Sequence, residues 1–239
     1  MNNTNTIKLT VMFTLTTLVG FITDSSVYAA IAPKAELNET TRVSHAKELL
    51  GKGYRGSFAQ RAEDIEDLRV TILESVNKNL PKKYKASAPA LAETIIREAQ
   101  ARDFDPVFVM AVIKTESSFN PKARGQFGEI GLMQLKPDTA EWMAKLEGIS
   151  WKGPKATLEN PIENVKLGVA YLAKLRDKFD GYANKYLSAY NMGARAVARM
   201  YKKDTRPKEY SLRVMKNYKD IYTKLVTTNK KATLVAEAN

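Results

Sequence analysis

One glutamate stands where the sequence could support acid catalysis. The apolar run at residues 107–113 has helical spacing and predicts a helix that carries Glu116 in its last turn, just before the break at Pro121. Apolar surroundings and the negative end of the helix dipole both disfavour a carboxylate and raise its pKa. A carboxyl group tuned in this way can act as a general acid near neutral pH. An ordinary surface glutamate at a helix end has the same pattern.

Two further segments carry side chains that suit a sugar or a buried acid. Gln134 lies in a loop with several glycines, and its amide can both donate to and accept from hydroxyl and acetamido groups. Tyr190 precedes the helix stop at Gly193, and we expect its hydroxyl to lie within hydrogen-bonding distance of Glu116 and orient it. Taken singly, a glycine turn and a core tyrosine explain these two segments better.

Counting residues excludes several other chemistries. The absence of cysteine removes disulfides, thiol nucleophiles, thiolate metal sites and a lipidated cysteine anchor. His45 is the single histidine and lies near the start of the chain, far from a nucleophile for a Ser-His-Asp triad. A metal site would need oxygen ligands alone. Carboxylate chemistry is what remains, and we expect neither a cofactor nor a metal.

The N-terminal residues are typical of an export signal. Lys8 precedes an apolar stretch at residues 9–22, and the tripeptide Val27-Tyr28-Ala29 suits a signal peptidase, although the stretch could also be retained as an anchor. The formal net charge is +12, which favours anionic envelope surfaces. Nucleic acid is disfavoured by the export signal and by the lack of a nucleic-acid-binding motif. We expect a monomer in the periplasm or cell envelope of a bacterium.

Helical periodicity dominates the chain, without alternating strand pairs or repeats. We predict a mainly α fold in four segments: a signal peptide at 1–29, an accessory helical segment at 30–85, a catalytic domain at 86–226 and a flexible tail at 227–239. Within these segments, helices are expected near residues 60–79, 182–190, 194–202 and 208–225, and others begin at Asp105-Pro106 and Asn160-Pro161.

Together these segments resemble the soluble lytic transglycosylases, whose catalytic domain has the goose-type lysozyme-like fold. The resemblance covers roughly residues 90–218, and Thr205 and Tyr210 resemble its closing motif. It rests on four ordered motifs: Glu116-Ser-Ser-Phe-Asn-Pro-Lys-Ala123; Gly131-Leu-Met-Gln134 with Pro137; Asn160-Pro161 through Tyr171-Leu172; and Ala189-Tyr190-Asn191 with Gly193.

The resemblance implies a reaction and a set of site residues. The family cleaves the β-1,4 bond between N-acetylmuramic acid and N-acetylglucosamine in peptidoglycan and leaves 1,6-anhydromuramoyl ends without adding water. Glu116 matches its single catalytic acid/base. The candidate substrate-binding residues are those that line the cleft or adjoin it in the motifs: Gln134, Tyr190, Met133, Ser117, Asn191 and Tyr210.

Three positions depart from the family pattern and leave alternatives open. Gly125 stands where many relatives have a serine thought to contact the acetamido group, and Glu129 replaces a small residue. The pair Ala194-Arg195 replaces a common Pro-Gly pair. One alternative is a muramidase that uses Glu129 as a second carboxylate to hold water. Another is a wall-binding scaffold that has lost turnover.

Overall fold

The computed structural model of the protein describes residues 36–65 and 67–237, and the fold of this part is mainly α, as predicted. The predicted signal peptide at residues 1–29 lies outside it. Among the described residues no helix is both long and apolar enough to cross a membrane. The helices are α1 (Glu39–Leu50), α2 (Phe58–Arg61), α3 (Leu68–Asn79), α4 (Ala88–Gln100), α5 (Pro106–Ser117), α6 (Pro137–Glu147), α7 (Pro154–Leu158), α8 (Pro161–Lys178), α9 (Ala183–Met192), α10 (Ala194–Lys202) and α11 (Glu209–Glu237).

Two predicted helix starts are confirmed, and both combine a capping side chain with proline in the first turn. Asp105 accepts a hydrogen bond from the Val107 N–H at the start of α5, at 2.8 Å. Asn160 accepts one from the Ile162 N–H at the start of α8, at 2.9 Å. The cap satisfies an N–H that has no partner within the helix, and proline lacks that N–H altogether.

Helix α5 is the centre of the core. Every residue from Pro106 to Ile113 is buried, and the helix packs chiefly against α11. Ser118 ends α5 in the left-handed conformation, with a φ of 51°. A close-packed core holds its members in fixed positions. The last turn of α5, which carries Glu116, therefore projects from a rigid element.

The accessory segment packs on this core, with α3 against α4 and α11. The sequence predicts one apolar stripe formed by Ile65, Leu68, Ile72 and Val76, and all four are buried. The prediction of a single helix over residues 60–79 is wrong. A new helix starts after Asp67, whose side chain accepts a hydrogen bond from the Val70 N–H.

The last helix is longer than the sequence analysis expects. The prediction ends it near residue 225 and leaves residues 227–239 as a loose tail, whereas α11 continues to Glu237. Residues 209–237 contain neither glycine nor proline. Leu225 and Val226 remain buried at the predicted end, so packing continues past it. Nothing local therefore interrupts the helix.

Candidate active site

A cleft opens at the C-terminal end of α5. Its volume is about 800 Å³, and its walls come from the end of α5, the loop at residues 125–136, α8, α9 and α11. Glu116 lies in its lining together with four of the predicted substrate contacts, Gln134, Tyr190, Asn191 and Tyr210. Elements that are distant in sequence thus bring the Glu116 carboxyl group, two amides and two phenols to a single concave surface.

Burial is the main influence on Glu116. It raises the pKa of this carboxyl group, as the negative charge of Glu129 does to a smaller extent, and the resulting pKa is about 7. Tyr210 donates a hydrogen bond to Glu116 Oε1 at 2.5 Å, and this bond and the nearby charge of Arg213 both lower the pKa. A group with such a pKa is protonated in an appreciable fraction of molecules near pH 7, as a general acid requires.

The last turn of α5 is fixed to its surroundings on two sides. Asn217 on α11 donates a hydrogen bond to Thr115 Oγ1 at 2.9 Å. Ser117 Oγ donates to the Leu132 carbonyl at 2.7 Å. Ser117 was predicted to contact substrate, but its hydroxyl is engaged with the loop and the residue is not part of the cleft lining.

A buried amide shapes the loop below the cleft. Asn164 on α8 donates hydrogen bonds to the carbonyls of Ile130 and Leu158 at 3.0 and 2.9 Å and accepts one from the Met133 N–H at 2.8 Å. Gly131 has a φ of 85°, and a Cβ there would overlap the Leu158 carbonyl and the Asn164 amide. Only glycine fits at residue 131, where the loop passes close to Leu158 and Asn164, and this explains the glycine in the motif.

Met133 was predicted to bind substrate, but its side chain does not line the cleft. Its side chain is fully buried and packs against Gly168, where a Cβ would overlap its sulfur. Adjacent loop residues point in opposite directions here: Met133 is buried, whereas Gln134, which has a positive φ of 49°, lines the cleft. Met133 contributes its backbone carbonyl to the site, as an acceptor for the hydroxyl of Tyr190 at 2.8 Å.

The predicted hydrogen bond from Tyr190 to Glu116 is also wrong. The hydroxyl of Tyr190 donates to Met133, and Tyr210 near the start of α11 makes the bond to Glu116 instead. Tyr190 stays in the cleft, where its ring lies 5.5 Å from that of Tyr171. Both tyrosines were candidates, and the way α9 and α11 pack decides which one reaches the acid.

Arg213 and Tyr171 also line the cleft, and neither is among the predicted site residues. Arg213 follows Tyr210 by one helical turn, so the two share a face of α11, and its guanidinium lies 5.6 Å from the Tyr210 ring centre. This spacing of three residues could have predicted from the sequence that Arg213 lies beside Tyr210. Tyr171 lies near the end of the motif that runs from residue 160 to residue 172, but no local feature of the sequence distinguishes it from a core tyrosine.

Replacing Tyr210 with phenylalanine is expected to move the pH profile. Tyr210 lowers the pKa of Glu116, so its loss raises that pKa, and kcat/KM should fall at a higher pH on the alkaline side than in the wild type. Turnover at pH 6 should also drop, roughly tenfold, because the carboxyl group loses the contact that orients it. Tyr190→Phe is the matched control, since its hydroxyl bonds to a carbonyl. An equal shift in both variants would contradict the assignment.

The chain is similar in sequence to a known domain family and to several named proteins. The profile of the transglycosylase SLT domain family matches residues 93–212, about half of the sequence, and the chain belongs to this family. It is 42% identical over 119 residues to membrane-bound lytic murein transglycosylase C of Histophilus somni strain 2336, covering 46% of this chain and 33% of that one. With the same-named protein of Mannheimia succiniciproducens it shares 36% identity over 131 residues, covering 51% and 36%.

The chain spans about a third of the length of the curated relatives it matches. Among solved structures, an inactive mutant of lytic transglycosylase Slt from Pseudomonas aeruginosa matches with a TM-score of 0.46 and 23% identity, covering 84% of this chain and 38% of that one. The 70 kDa soluble lytic transglycosylase of Escherichia coli matches with 0.48 and 21%, covering 80% and 37%. With both TM-scores below 0.5, family membership rests on the family profile.

Proposed function

We propose that this protein is a peptidoglycan lytic transglycosylase with Glu116 as its single general acid/base. It cleaves the β-1,4 bond between N-acetylmuramic acid and N-acetylglucosamine and forms 1,6-anhydro-N-acetylmuramic ends. The observation that carries the proposal is a carboxyl group at the cleft whose pKa burial raises to about 7. Membership of the transglycosylase SLT domain family and relatives named lytic murein transglycosylases support it.

One carboxyl group suffices for this reaction. Protonated Glu116 gives its proton to the glycosidic oxygen, and the leaving sugar departs. The resulting carboxylate then takes the proton of the C6 hydroxyl of muramic acid, and that oxygen attacks the anomeric carbon. The nucleophile belongs to the substrate, and an ideally placed intramolecular nucleophile lowers the barrier by up to roughly 7–11 kcal/mol. Water is not consumed, and the proton returns to Glu116.

The other polar residues of the cleft are proposed to hold the glycan. Gln134 and Asn191 offer amides to hydroxyl and acetamido groups, and Tyr190 offers the face of its ring. Tyr210 does not need to contact the sugar for its role, because its hydroxyl fixes the direction of the Glu116 carboxyl group. Orientation of the acid toward the glycosidic oxygen is itself a contribution to rate.

Envelope location is part of the same proposal. Relatives are named membrane-bound lytic murein transglycosylases, and the chain carries a formal net charge of +12. Basic residues cluster where α5 meets α11: burial lowers the pKa of Lys114, and the charges of Lys224 and Lys216 lower it further, whereas Asp220, which pairs with Lys216 at 2.8 Å, raises it. We propose that an exported, monomeric enzyme uses this charge to associate with the anionic envelope, where its substrate lies.

Added salt is expected to separate adsorption from chemistry. Raising the salt concentration shortens the screening length from about 10 Å at 0.1 M to about 3 Å at 1 M and should weaken adsorption to purified sacculi severalfold. The rate of cleavage of a short soluble glycan should change much less. Lys216→Gln with Lys224→Gln should bind sacculi less tightly at low salt, with a weaker salt dependence. A parallel loss of adsorption and soluble cleavage would instead indicate that the charge acts inside the cleft.

Muropeptide masses test the proposal directly. Purified sacculi are digested with the wild type, and Glu116→Gln serves as the blank. Anhydro ends, lighter by one water than reducing ends, are expected. Reducing ends would favour a muramidase. Glu129 supports this alternative, because it places a second carboxyl group in the cleft lining. Adsorption without release of any muropeptide would favour a non-catalytic scaffold.

A further inference from the structure

The Glu129 carboxylate occupies the space that a side chain at residue 125 would need. A Cβ added at Gly125 would overlap Glu129 Oε2 and approach Gln134 Oε1 to 2.9 Å. The Gly125 N–H donates to the Glu129 carbonyl at 2.9 Å, so the two residues face each other across a tight turn. The absence of a side chain at residue 125 is therefore what admits the carboxylate of Glu129.

The Glu129 carboxylate is held in place at the cleft wall. The Phe127 N–H donates to its Oε2 at 3.0 Å, and Lys136 Nζ lies 3.7 Å from its Oε1. Its side chain is 19% exposed, so it neither swings freely in solvent nor disappears into the core. A carboxylate can accept about four hydrogen bonds, and these two neighbours leave acceptor capacity toward the cleft.

A second acceptor points to the same place. Gln134 donates through Nε2 to the Gly131 carbonyl at 2.9 Å, and this bond fixes which way its amide faces. Its Oε1 consequently faces the space beside Gly125, next to Glu129 Oε2. Two acceptor oxygens that converge on one point of the cleft lining are complementary to a hydrogen-bond donor.

We propose that Glu129 and Gln134 form an acceptor pair that binds a hydrogen-bond donor of the glycan. The donor is an amide N–H or hydroxyl in an N-acetylated strand and an ammonium group in a de-N-acetylated one. This inference rests on the proposed function for its substrate class. A serine at residue 125 could donate a hydrogen bond as well as accept one. With glycine at residue 125 and the Glu129 carboxylate beside it, this part of the cleft only accepts, so it selects hydrogen-bond donors.

Equilibrium binding tests the pair without turnover. In a Glu116→Gln background, the dissociation constants of the N-acetylglucosamine tetramer and the glucosamine tetramer are measured with and without Glu129→Gln. We expect Glu129→Gln to weaken both, the acetylated tetramer roughly tenfold, as for a hydrogen bond to a charged group, and the ammonium-bearing tetramer by more. Weakening of one tetramer alone also supports the pair and identifies the donor as amide or hydroxyl, or as ammonium.

A matched control separates a specific contact from a general change of charge. Glu163 on α8 is 28% exposed, is paired with Lys166 at 3.1 Å and is not part of the cleft lining, so Glu163→Gln removes the same charge elsewhere. Dissociation constants that stay within twofold in Glu129→Gln, or that change equally in Glu163→Gln, overturn the inference. Absence of anhydro or reducing ends from wild-type digests would sink the proposed function but leave the binding result readable.

Discussion

Glu116→Gln is expected to keep the fold and to lose cleavage of sacculi. Glutamine is nearly isosteric with glutamate and can still accept the hydrogen bond from Tyr210, but it has no proton to give to the glycosidic oxygen. General acid/base catalysis is typically worth about 10²–10⁴-fold, and both proton transfers of the proposed mechanism use this residue. Muropeptide release should therefore fall at least a hundredfold, measured as the initial rate at pH 6.

The same substitution has a predictable effect on stability. Burial raises the pKa of Glu116 to about 7, so the native state holds its proton more tightly than the unfolded chain does. The contribution of this group to stability is fully present below its unfolded pKa and is lost as the pH rises toward and through about 7. Glu116→Gln should consequently melt at or above the wild-type temperature at pH 8.

Glu163→Gln, which removes a carboxylate outside the cleft, is the control for this experiment. It should leave the initial rate of release within about twofold of the wild type, as an ordinary surface substitution does. Retention of more than about a tenth of wild-type activity in Glu116→Gln would remove Glu116 from the role of acid. Loss of activity together with a lower melting temperature would make the result a folding defect.

Much of the scaffold could be predicted because its signals are local. The starts of α5 and α8 each depend on a capping side chain and an adjacent proline within three residues of sequence. The apolar run before Glu116 likewise places this glutamate at a helix end that the core holds. The same local reading missed that α11 continues to Glu237, although the absence of glycine and proline there was visible.

The contacts of the site could not be predicted to the same depth, because they depend on packing between distant elements. Tyr190 and Tyr210 are both aromatic residues near the acid in the family pattern, and only the packing of α9 and α11 assigns the hydrogen bond to Tyr210. Met133 and Gln134 are neighbours in one motif, yet Met133 lies in the core and Gln134 lines the cleft.

The accessory segment shows the same limit, because a contact between residues 60 positions apart connects it to α5, the helix that carries Glu116. His45 Nδ1 accepts the N–H of Asp105 at 3.1 Å, and burial lowers the pKa of His45 well below its usual value. The imidazole is therefore neutral and has its proton on Nε2, which lies 3.3 Å from the hydroxyl of Tyr186. Counting a single histidine excluded a catalytic triad but could not predict this structural role.

Asp105 is the group on which the junction of the accessory segment, α5 and α11 depends. It is fully buried and accepts hydrogen bonds from Tyr218 at 2.6 Å, from Tyr222 at 2.7 Å and from the Val107 N–H at 2.8 Å. Burial raises the pKa of Asp105, whereas these hydrogen bonds and the charge of Arg42 lower it. Arg42, from α1, donates to Tyr222 at 2.8 Å and so extends the network into the accessory segment.

Asp105→Ala is expected to lower the free energy of unfolding by roughly 3–5 kcal/mol, the usual cost of removing one member of a buried charged network. The substitution leaves three buried donors without an acceptor and deprives α5 of its cap. Urea unfolding followed by circular dichroism at pH 7 measures the change. Asp67→Ala is the matched control, because Asp67 caps α3 at an exposed site, and losing a cap alone costs about 1 kcal/mol. Equal losses in the two variants would mean that Asp105 acts only as a cap; a larger loss in Asp105→Ala would assign the difference to the buried network that joins the accessory segment to the helix of Glu116.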